Sequence, residues 1–546
     1  MNILCYCPLN ERSIRTSLGL ADYSYYFVLK EFLPLLQSLA TVEVFDSLSA
    51  LEARLQAGTG QVLVLAFVPP QKTPLQLSCP VLPVFAWEFD SIPDQVWDDE
   101  PRHDWRRVFA ACPRAITHSQ YAVQAVRRTM GAAYPVCSLP APLWDRCEPW
   151  RQARRTPPTV LQLRFQGRLL DSAMPGFAQL HEQEKAHVGP AQAEDMDTRS
   201  LSWLRQLLER ERAARRESVR QTDEYVLSLR EHLEHAQAYA RSLQDYVRSL
   251  EAYRQAMETE AAHWQQRLFG RWIWLGLRAW SSRQRFLPAV PTPQGQAAAE
   301  PCRLAEAPAA LDHVPTAGPA AGFCELKIER SVVYTAVFNP YDRRKNWRDM
   351  VSAFCAALGE HEDACLLLKL THQDIDEAMA VLHDFLLRLP PFRCRVVAIH
   401  GFLEAEDYAQ MVAGSSYALN TSLAEGQCLP LMEFMSAGVP AVAPDHSAMR
   451  DYMDASVGFV VRSHAVPACW QHDPLQRLHT HAARIDWSSL CQALRDSYAC
   501  KPGTAAYQAL AQAAVLRLQG HCSQASAAAV LAPFLQEVSA HAARPV

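Results

Sequence analysis

Two blocks of the sequence alternate short apolar runs with helical segments, and this alternation narrows the choice of fold more than any other feature. In residues 1–150 the apolar runs are NILCYC, VEVF, VLVLAFV, VLPVFAW and AITHS; from Ser331 they are VVYTAVF, ACLLLKL, RCRVVAIH, SYALN, AVAP and GFVV. Short apolar runs separated by helices are typical of a parallel sheet covered by helices. We therefore predict an α/β protein with two Rossmann-like domains that face a cleft, over 1–172 and 326–546. TVLQLRF (159–165) is a further candidate strand of the first domain.

The segment between these blocks has a different pattern. Residues 191–269 contain neither glycine nor proline. From Val219 to Leu268, apolar residues recur with a 4-3 spacing over about seven heptads, which is typical of a coiled coil. A 3.5-residue period kept over this length favours self-association; the alternative is a long helix that lies on its own domain. We predict an inserted coiled coil over 191–285 and a homo-oligomer.

Two further segments follow the heptads. RLFGRWIWLGLRAW (267–280) combines tryptophan and arginine in a way that suits a membrane interface, and it suits a clasp that packs on the protein equally well. Residues 288–325 carry seven prolines and many alanines. This composition predicts a linker over 286–325.

Composition excludes several classes of protein. The net charge of −5 argues against a dedicated nucleic-acid binder. The 16 cysteines show no CxxC pair or zinc-finger spacing, and they are interpreted as reduced thiols of a cytoplasmic protein. MNILCYCPLN lacks the pattern of a signal peptide, and no run reaches the length of a membrane span.

One loop carries two carboxylates at a position suited to ligand binding. In TSLAEGQCLPLME (421–433), Glu425 and Glu433 stand eight positions apart between a predicted strand, SYALN, and a predicted helix that ends at Gly438. Open α/β sheets bind ligands beyond the carboxyl ends of their strands, and a helix N-terminus favours an anion. Carboxylates at such a place suit a ligand rich in hydroxyl groups, such as a ribose or a sugar. The spacing alone fits ordinary capping and surface charge equally well.

The surrounding motifs resemble a known family. SLAEGQCLPLMEFMSAGVPAVAP (422–444) resembles the donor-site signature of the retaining GT-B glycosyltransferases, the family 4-like group. VFNPYDRRKNWRDMVSAF (337–354) is similar to the first strand and phosphate loop of that family's second domain. AIHGFLEAEDYAQMVAGSSYALNTS (398–422) is similar to the part that precedes the signature. Weaker resemblance in VFAWEFDSIPDQVW and AITHSQYAVQAVR extends the match over about 1–172 and 326–500.

The resemblance implies a role for each matching residue. Lys345 would neutralise the donor diphosphate, with Arg344 as a possible helper, and Glu433 would accept hydrogen bonds from the ribose. Glu425 would hold hydroxyl groups of the transferred sugar. The backbone of the loop residues that follow would reach the sugar or phosphate, and two residues after a predicted strand would line the base pocket. These backbone positions are Gly426, Gln427, Cys428 and Leu429 for the loop, and Gly401 and Phe402 for the base.

The sequence departs from the family pattern at three places. Asn339 and Pro340 replace the usual Gly-Arg before the phosphate lysine, so a second basic contact has to come from Arg344 or elsewhere. The glycine loop after the first strand is reduced to SLGLADY (17–23), with Gly19 alone. The family's histidine in the first domain has no clear counterpart. Glu88 and His118 are candidates for acceptor or phosphate contact, and structural burial is the favoured interpretation of His118. Lys369, which ends the ACLLLKL strand, either faces the cleft or is a plain strand terminus.

Other motifs do not indicate a metal or a cofactor. Asp374 and Asp376 match the D-x-D motif of GT-A glycosyltransferases, but they open a predicted helix, where aspartates act as N-caps. His472, His479 and His481 lack a carboxylate or cysteine pattern that would complete a metal site. GxGxxG, P-loop, GxSxG and HExxH motifs are absent. We expect no metal and no cofactor besides the donor substrate.

The resemblance implies a cytoplasmic glycosyltransferase that moves a sugar from a nucleotide-diphospho-sugar to a glycan or lipid-linked acceptor. Retention at the anomeric carbon, independence of metal and a part in surface polysaccharide or lipopolysaccharide synthesis are expectations of the same origin. A Trp- and Arg-rich segment at the inner face of the cytoplasmic membrane would suit a lipid-linked acceptor. The alternative is a non-catalytic coiled-coil scaffold whose GT-B module only binds a nucleotide sugar.

Overall fold

The computed structural model describes residues 2–177 and 323–542, apart from short gaps at 15–16, 18, 20–21, 59, 156–159, 175–176, 330–331, 471–472 and 474. The predicted coiled coil (191–285) and its Trp- and Arg-rich end (267–280) lie outside the described residues. The predicted linker (286–325) also lies outside them, except for its last three residues. Within the described ranges, no helix is both long and apolar enough to cross a bilayer.

The N-terminal part of the chain forms a six-stranded sheet in the order β2-β1-β3-β4-β5-β6, with every neighbouring pair parallel. Its strands are β1 Asn2–Tyr6, β2 Thr41–Phe45, β3 Val62–Ala66, β4 Val81–Phe85, β5 Ala115–Thr117 and β6 Val136–Ser138. Its helices are α1 Tyr23–Leu39, α2 Leu48–Ala57, α3 Trp105–Ala111, α4 Gln120–Met130 and α5 Glu148–Ala153.

The burial of these strands explains why the apolar runs predict them. β3 and β4 are buried along almost their whole length, as expected for strands covered by helices on both faces, whereas the edge strand β2 is largely exposed or half-buried. The five strands predicted in residues 1–150 are therefore confirmed. The sixth, β6, has only three residues.

The C-terminal part forms a second sheet in the order β15-β14-β13-β10-β11-β12-β8, parallel except for β8. Its strands are β8 Arg168–Asp171, β10 Val332–Phe338, β11 Ala364–Leu370, β12 Arg395–His400, β13 Tyr417–Leu419, β14 Ala441–Ala443 and β15 Gly458–Val460. The helices are α6 Trp347–Leu358, α7 Asp376–Leu387, α8 Ala405–Gly414, α9 Leu429–Ser436, α10 Trp487–Ala499, α11 Ala505–Cys522 and α12 Gln524–Ala542. The six strands predicted after Ser331 are confirmed.

Residues 160–171 belong to this second sheet region, which differs from the prediction that the first domain extends to residue 172. β8 pairs antiparallel with β12 at the sheet edge. β7 (Val160–Gln166) forms a separate antiparallel ribbon with β9 (Phe323–Glu329), and both strands alternate buried and exposed residues. Such alternation suits a ribbon with one face in solvent. The last three residues of the predicted linker are strand residues of β9.

The chain crosses between the two sheets a second time near its end. Ala527, Leu531 and Leu535 of α12 belong to the hydrophobic core of the first sheet, whereas Ala514 and Leu518 of α11 belong to a core of the second sheet. A second ribbon, β16 (Ser463–Ala468) with β17 (Thr480–Ile485), precedes α10. The carboxyl ends of the two sheets contact each other where Arg344, which follows β10, pairs with Glu88, which follows β4, and the candidate site lies there.

Candidate active site

The loop that carries Glu425 lies between β13 and α9, as the sequence predicts. α9 begins at Leu429, directly after Cys428, which has a left-handed backbone with φ of 62°. Its end is followed by Gly438, whose φ of 85° suits the glycine expected there. The loop therefore lies beyond the carboxyl end of a central strand and at a helix N-terminus.

Lys345 and Glu425 form the centre of this site. Together with Ser422 they make up what we call the local cluster. Lys345 ends a 3₁₀ turn (Arg343–Lys345) after β10, and its Nζ lies 2.6 Å from Oε1 of Glu425. The Ser422 hydroxyl donates to the same oxygen at 2.6 Å. The Ser447 hydroxyl accepts the Glu425 backbone N–H at 3.0 Å, so the loop is fixed from both sides.

The surroundings of the local cluster favour the charged forms of Glu425 and Lys345. Glu425 is only 4 % exposed, and burial by itself raises its pKa. The charges of Lys345 and Arg344, with the hydrogen bonds from Lys345 and Ser422, outweigh burial and lower the pKa to about 2. Burial is the largest influence on the pKa of Lys345 and lowers it, but Glu425, with smaller contributions from Cys428 and Asp342, makes the net shift upward. Both groups are therefore charged near neutral pH.

Arg344 links the two sheets. Its guanidinium lies 3.0 Å from Glu88, which follows β4, and 2.8 Å from Asp342. It also donates to the Ala424 carbonyl at 3.1 Å. Burial raises the pKa of Glu88, although Arg344 opposes that shift. Arg344 thus has protein acceptors in this arrangement, and the role as a second phosphate contact that the resemblance implies stays a prediction.

Glu433 lies in a second group of charged residues, which we call the bridging cluster: Arg146, Glu31, Glu433 and Tyr408. Arg146 forms an ion pair with Oε1 of Glu433, and the Tyr408 hydroxyl donates to Oε2 at 2.5 Å. Arg146 also pairs with Glu31 of α1 at 2.6 Å. Both oxygens of the predicted ribose-binding carboxylate thus have protein partners in this arrangement.

The loop after Glu425 contacts the first sheet closely. A Cβ on Gly426 would lie 3.0 Å from the Cβ of Ala86, so only glycine fits without a shift. The Gln427 side chain accepts the backbone N–H of Ala141 at 2.5 Å. The thiol of Cys428 accepts from Asn420 at 3.2 Å, and Leu429 begins α9. The predicted contacts of these four residues with a donor remain predictions.

Gly401 lies against the turn between β7 and β8. Its φ is 129°, and a Cβ there would lie 2.2 Å from the Gln166 carbonyl oxygen. Gly167 approaches the His400 carbonyl equally closely. This packing accounts for the glycine without a ligand, and the base-pocket role of Gly401 and Phe402 stays a prediction.

Two other predicted positions meet at the carboxyl ends of the sheets. The Asn339 side chain donates to the Gly19 carbonyl at 3.2 Å. Gly19 has a φ of 82°, and a Cβ there would lie 2.5 Å from the His372 ring. The reduced glycine loop of the first sheet thus touches the second sheet directly.

His118 stands apart from these clusters. It is 1 % exposed, and its Nδ1 lies 2.9 Å from the Leu139 carbonyl. Burial lowers its pKa to about 4. A neutral imidazole held within the first sheet fits the structural interpretation that the sequence favours.

Sequence reasoning missed the partners that complete both clusters. Ser422 and Asn420 lie in the same loop as Glu425, and their polar side chains beside the carboxylate are a signal that could have been used. Arg146, Glu31 and Tyr408 carry no such signal, because they are far from Glu433 in the sequence and only the tertiary fold brings them together.

The structure adds no metal site. In the described part of the chain, no group of three or more His, Cys, Asp or Glu side chains is arranged to hold a metal ion. Asp376 pairs with Arg168 instead, His481 pairs with Asp90, and His472 is outside the described residues.

Among solved structures, the chain is similar to several proteins at low sequence identity. Anabaena Alr3699/HepE, solved in complex with UDP and glucose, is 12% identical over 98% of this chain and 100% of that chain, with a TM-score of 0.44. Sucrose-phosphate synthase of Thermosynechococcus elongatus is 11% identical over 99% of this chain and 100% of that chain, with a TM-score of 0.45. The pneumococcal O-GlcNAc transferase GtfA is 14% identical over 38% of this chain, with a TM-score of 0.27, and the chain spans only 36% of its length. With TM-scores this low, these similarities assign no activity to the chain.

A search of curated proteins found no match. The family Glycosyl transferases group 1 matches residues 329–472, about a quarter of the chain. That stretch contains Lys345, Glu425 and Glu433, together with the strands that position them. Over these residues, the second α/β region of the chain is therefore similar to the group 1 glycosyltransferases.

Proposed function

We propose that the chain transfers a sugar from a nucleotide-diphospho-sugar to a hydroxyl group of a glycan or lipid-linked acceptor. The observation that carries the proposal is the ion pair between Lys345 and Glu425 at the carboxyl end of the second sheet, inside the segment that matches the family. A permanent cation and a permanent carboxylate at that edge suit a diphosphate and a sugar.

Lys345 has the chemistry required for the leaving group. Transfer breaks the bond between the anomeric carbon and a phosphate oxygen, and that oxygen leaves with the bonding electrons as part of a nucleoside diphosphate. The ammonium of Lys345 and the N–H groups at the start of α9 would stabilise the negative charge that develops. The proposed reaction therefore needs no metal ion.

Glu425 suits the sugar rather than proton transfer. Because the lowered pKa keeps Glu425 ionised, it accepts hydrogen bonds from sugar hydroxyl groups and has no proton to give. The acceptor oxygen would form the new bond to the anomeric carbon, and its proton would pass to the departing phosphate. This route fits the retention that the family resemblance implies.

The ribose-binding role of Glu433 is compatible with its present partners. A carboxylate has about four acceptor sites, and Arg146 and Tyr408 each donate to one of the two oxygens. Glu433 therefore keeps acceptor capacity for a ribose hydroxyl. If a ribose displaced Arg146, that arginine would keep an acidic partner in Glu31.

The acceptor side of the proposal rests on the sequence alone. We propose a part in surface polysaccharide or lipopolysaccharide synthesis, with a homo-oligomer formed through 191–285 and a peripheral membrane contact through 267–280. Deleting 191–285 should give a smaller species by light scattering with donor binding intact, because the proposed donor residues all lie after residue 330. An unchanged size would contradict the oligomer, and loss of donor binding would mean that the insertion helps to build the cleft.

A thermal-shift panel of nucleotide sugars, followed by a transfer assay with the donor that binds, tests the proposed activity. A bound donor stabilises the folded protein by mass action, so one nucleotide sugar should raise the melting temperature and then release its nucleoside diphosphate. The matching nucleoside monophosphate is the control and should give a smaller shift. Binding without turnover across a panel of glycan and lipid-linked acceptors would favour the non-catalytic scaffold, and no shift with any donor would overturn the proposal.

A further inference from the structure

Lys369 is a buried amine without an acidic partner. It lies near the end of β11 and is 4 % exposed. Its Nζ donates to the backbone carbonyl of Leu370 at 3.1 Å, and no carboxylate of the described residues forms an ion pair with it. An ammonium has three N–H donors, so this position leaves donor capacity that the described protein does not use. Burying such a group without a partner is costly, which makes a plain structural role a poor explanation.

Lys369 lies in the strand next to β12, which leads to the predicted base-pocket residues Gly401 and Phe402. Leu367, two residues earlier on the same face of β11, shares a hydrophobic core with Leu431 and Met432 of α9. Lys369 therefore lies on the sheet face that the signature helix covers. In the neighbouring strand it pairs with Ile399, two residues before Gly401.

Lys369 is separate from the local cluster that would hold the diphosphate. The Nζ of Lys345 pairs with Glu425, whereas the Nζ of Lys369 donates to the Leu370 carbonyl. The titratable neighbour of Lys369 is His400 of β12, whose pKa is lowered by burial and, less strongly, by Lys369. Burial lowers the pKa of Lys369 itself to about 7.

We infer that Lys369 donates a hydrogen bond to an oxo group of the donor nucleobase, so that the site prefers uracil, thymine or guanine to adenine. This inference rests on the proposed function. A lysine side chain of this kind offers N–H donors. Uracil and thymine at position 4, and guanine at position 6, present a carbonyl oxygen that can accept, whereas cytosine and adenine carry an amino group there. Loss of one such contact leaves a buried acceptor unpaired, which is a source of discrimination between ligands.

Isothermal titration of the full chain with UDP, GDP, ADP and inorganic pyrophosphate tests the inference. The wild type should bind UDP or GDP more tightly than ADP. Lys369→Met should bind the preferred oxo nucleotide roughly tenfold more weakly, with unchanged affinity for ADP and pyrophosphate. Lys327→Met, at an exposed lysine of β9, is the matched control and should behave as the wild type.

The outcomes separate this inference from the proposed function. Equal wild-type affinity for ADP, UDP and GDP, or unchanged binding of the oxo nucleotides by Lys369→Met, would overturn the inference and leave the proposed function standing. If Lys369→Met lost as much affinity for pyrophosphate as for the oxo nucleotide, Lys369 would contact the phosphate groups, and the inference would also be overturned. If the wild type binds no nucleotide, the proposed function itself fails. Lys369→Gln keeps an N–H donor and should retain intermediate affinity, which guards against a folding defect in the methionine variant.

Discussion

The two glutamates of the signature loop lie in two different kinds of ionic cluster. Glu425 is held by residues of the second sheet region alone, with Lys345 and Ser422 as its partners. Glu433 is held by Arg146, which also pairs with Glu31 of the first sheet region. The local cluster is thus a site that one domain preorganises, whereas the bridging cluster depends on how the two domains meet. We expect chemistry to depend on the first and domain arrangement on the second.

The largest expected effect is on turnover when Glu425 loses its charge. Glu425→Gln keeps the shape of the side chain but removes the carboxylate that pairs with Lys345 and would hold the sugar. We expect kcat to fall roughly 100- to 1,000-fold, the range seen when one preorganised polar contact is removed. Glu360→Gln, at an exposed glutamate, is the matched control. If Glu425→Gln kept the wild-type kcat, the chemistry would not depend on the local cluster, and the distinction from the bridging cluster would fall.

Next in size is the effect of Arg146 on stability. Arg146→Met leaves Glu31 and Glu433 close to each other without their shared cation, so we expect the folded state to lose about 3 kcal/mol. Calorimetric melting of the variant measures this loss. Arg102→Met removes an exposed pair with Glu100 and should change the melting temperature little. An equal, small shift in both variants would show that the bridging cluster does not hold the domains.

A smaller effect separates two roles for Glu433. If it accepts hydrogen bonds from the ribose, Glu433→Gln should weaken binding of a ribonucleoside diphosphate about tenfold and that of its 2′-deoxy, 3′-deoxy analogue much less. Competition titrations with the two nucleotides give the ratio. The same loss for both ligands would mean that Glu433 serves only the bridging cluster.

The smallest expected effect is a dependence of stability on pH. Burial, reinforced by Glu433 and opposed by Arg146, raises the pKa of Glu31 from 4.5 to about 7. Between these values the folded protein holds a proton that the unfolded chain has released, so this contribution to stability is full below pH 4.5 and is lost as the pH rises through 7. The slope is at most about 1.4 kcal/mol per pH unit.

Glu31→Gln should remove that slope, because glutamine does not titrate in this range. Melting temperatures of the wild type and the variant at about pH 5.5 and about pH 7.5, one below and one above the raised pKa, give the difference. Glu52→Gln, at an exposed glutamate of α2, should follow the wild type. An identical pH response of Glu31→Gln and wild type would contradict the raised pKa.

Local patterns predicted the parts of the molecule that depend on nearby residues. The central strands follow from their apolar runs, and α1 spans the helical segment YSYYFVLKEFLPLLQSL that the sequence indicates. β6 was missed because its residues, VCS, form no apolar run, unlike the equally short strands YAL, AVA and GFV. β8 could not be assigned to the second sheet, because its partner β12 lies more than 200 residues away and an edge strand has no signature for its neighbour.

The residues of the candidate site also divide into those that the local sequence predicts and those that only the tertiary fold brings together. The resemblance named Lys345 and Glu425, and their separation of 2.6 Å agrees with a shared site. Arg344 pairs with Glu88 and Asp342, and its role near the phosphate stays a prediction. The partners of Glu433 come from other elements of the fold, so no spacing within the signature could reveal them.

Titration of a nucleoside diphosphate into the wild type, Lys345→Ala and Lys345→Arg tests directly whether Lys345 binds the donor diphosphate. We expect Lys345→Ala to weaken binding by about 2 kcal/mol, roughly 30-fold, because it removes a charge-assisted contact from a cleft. Lys345→Arg should recover part of the affinity, since its fork has a different geometry. Lys501→Ala, at a half-exposed lysine paired with Asp363, should bind as the wild type does. Equal affinity in all four proteins would contradict the placement of the donor diphosphate at Lys345.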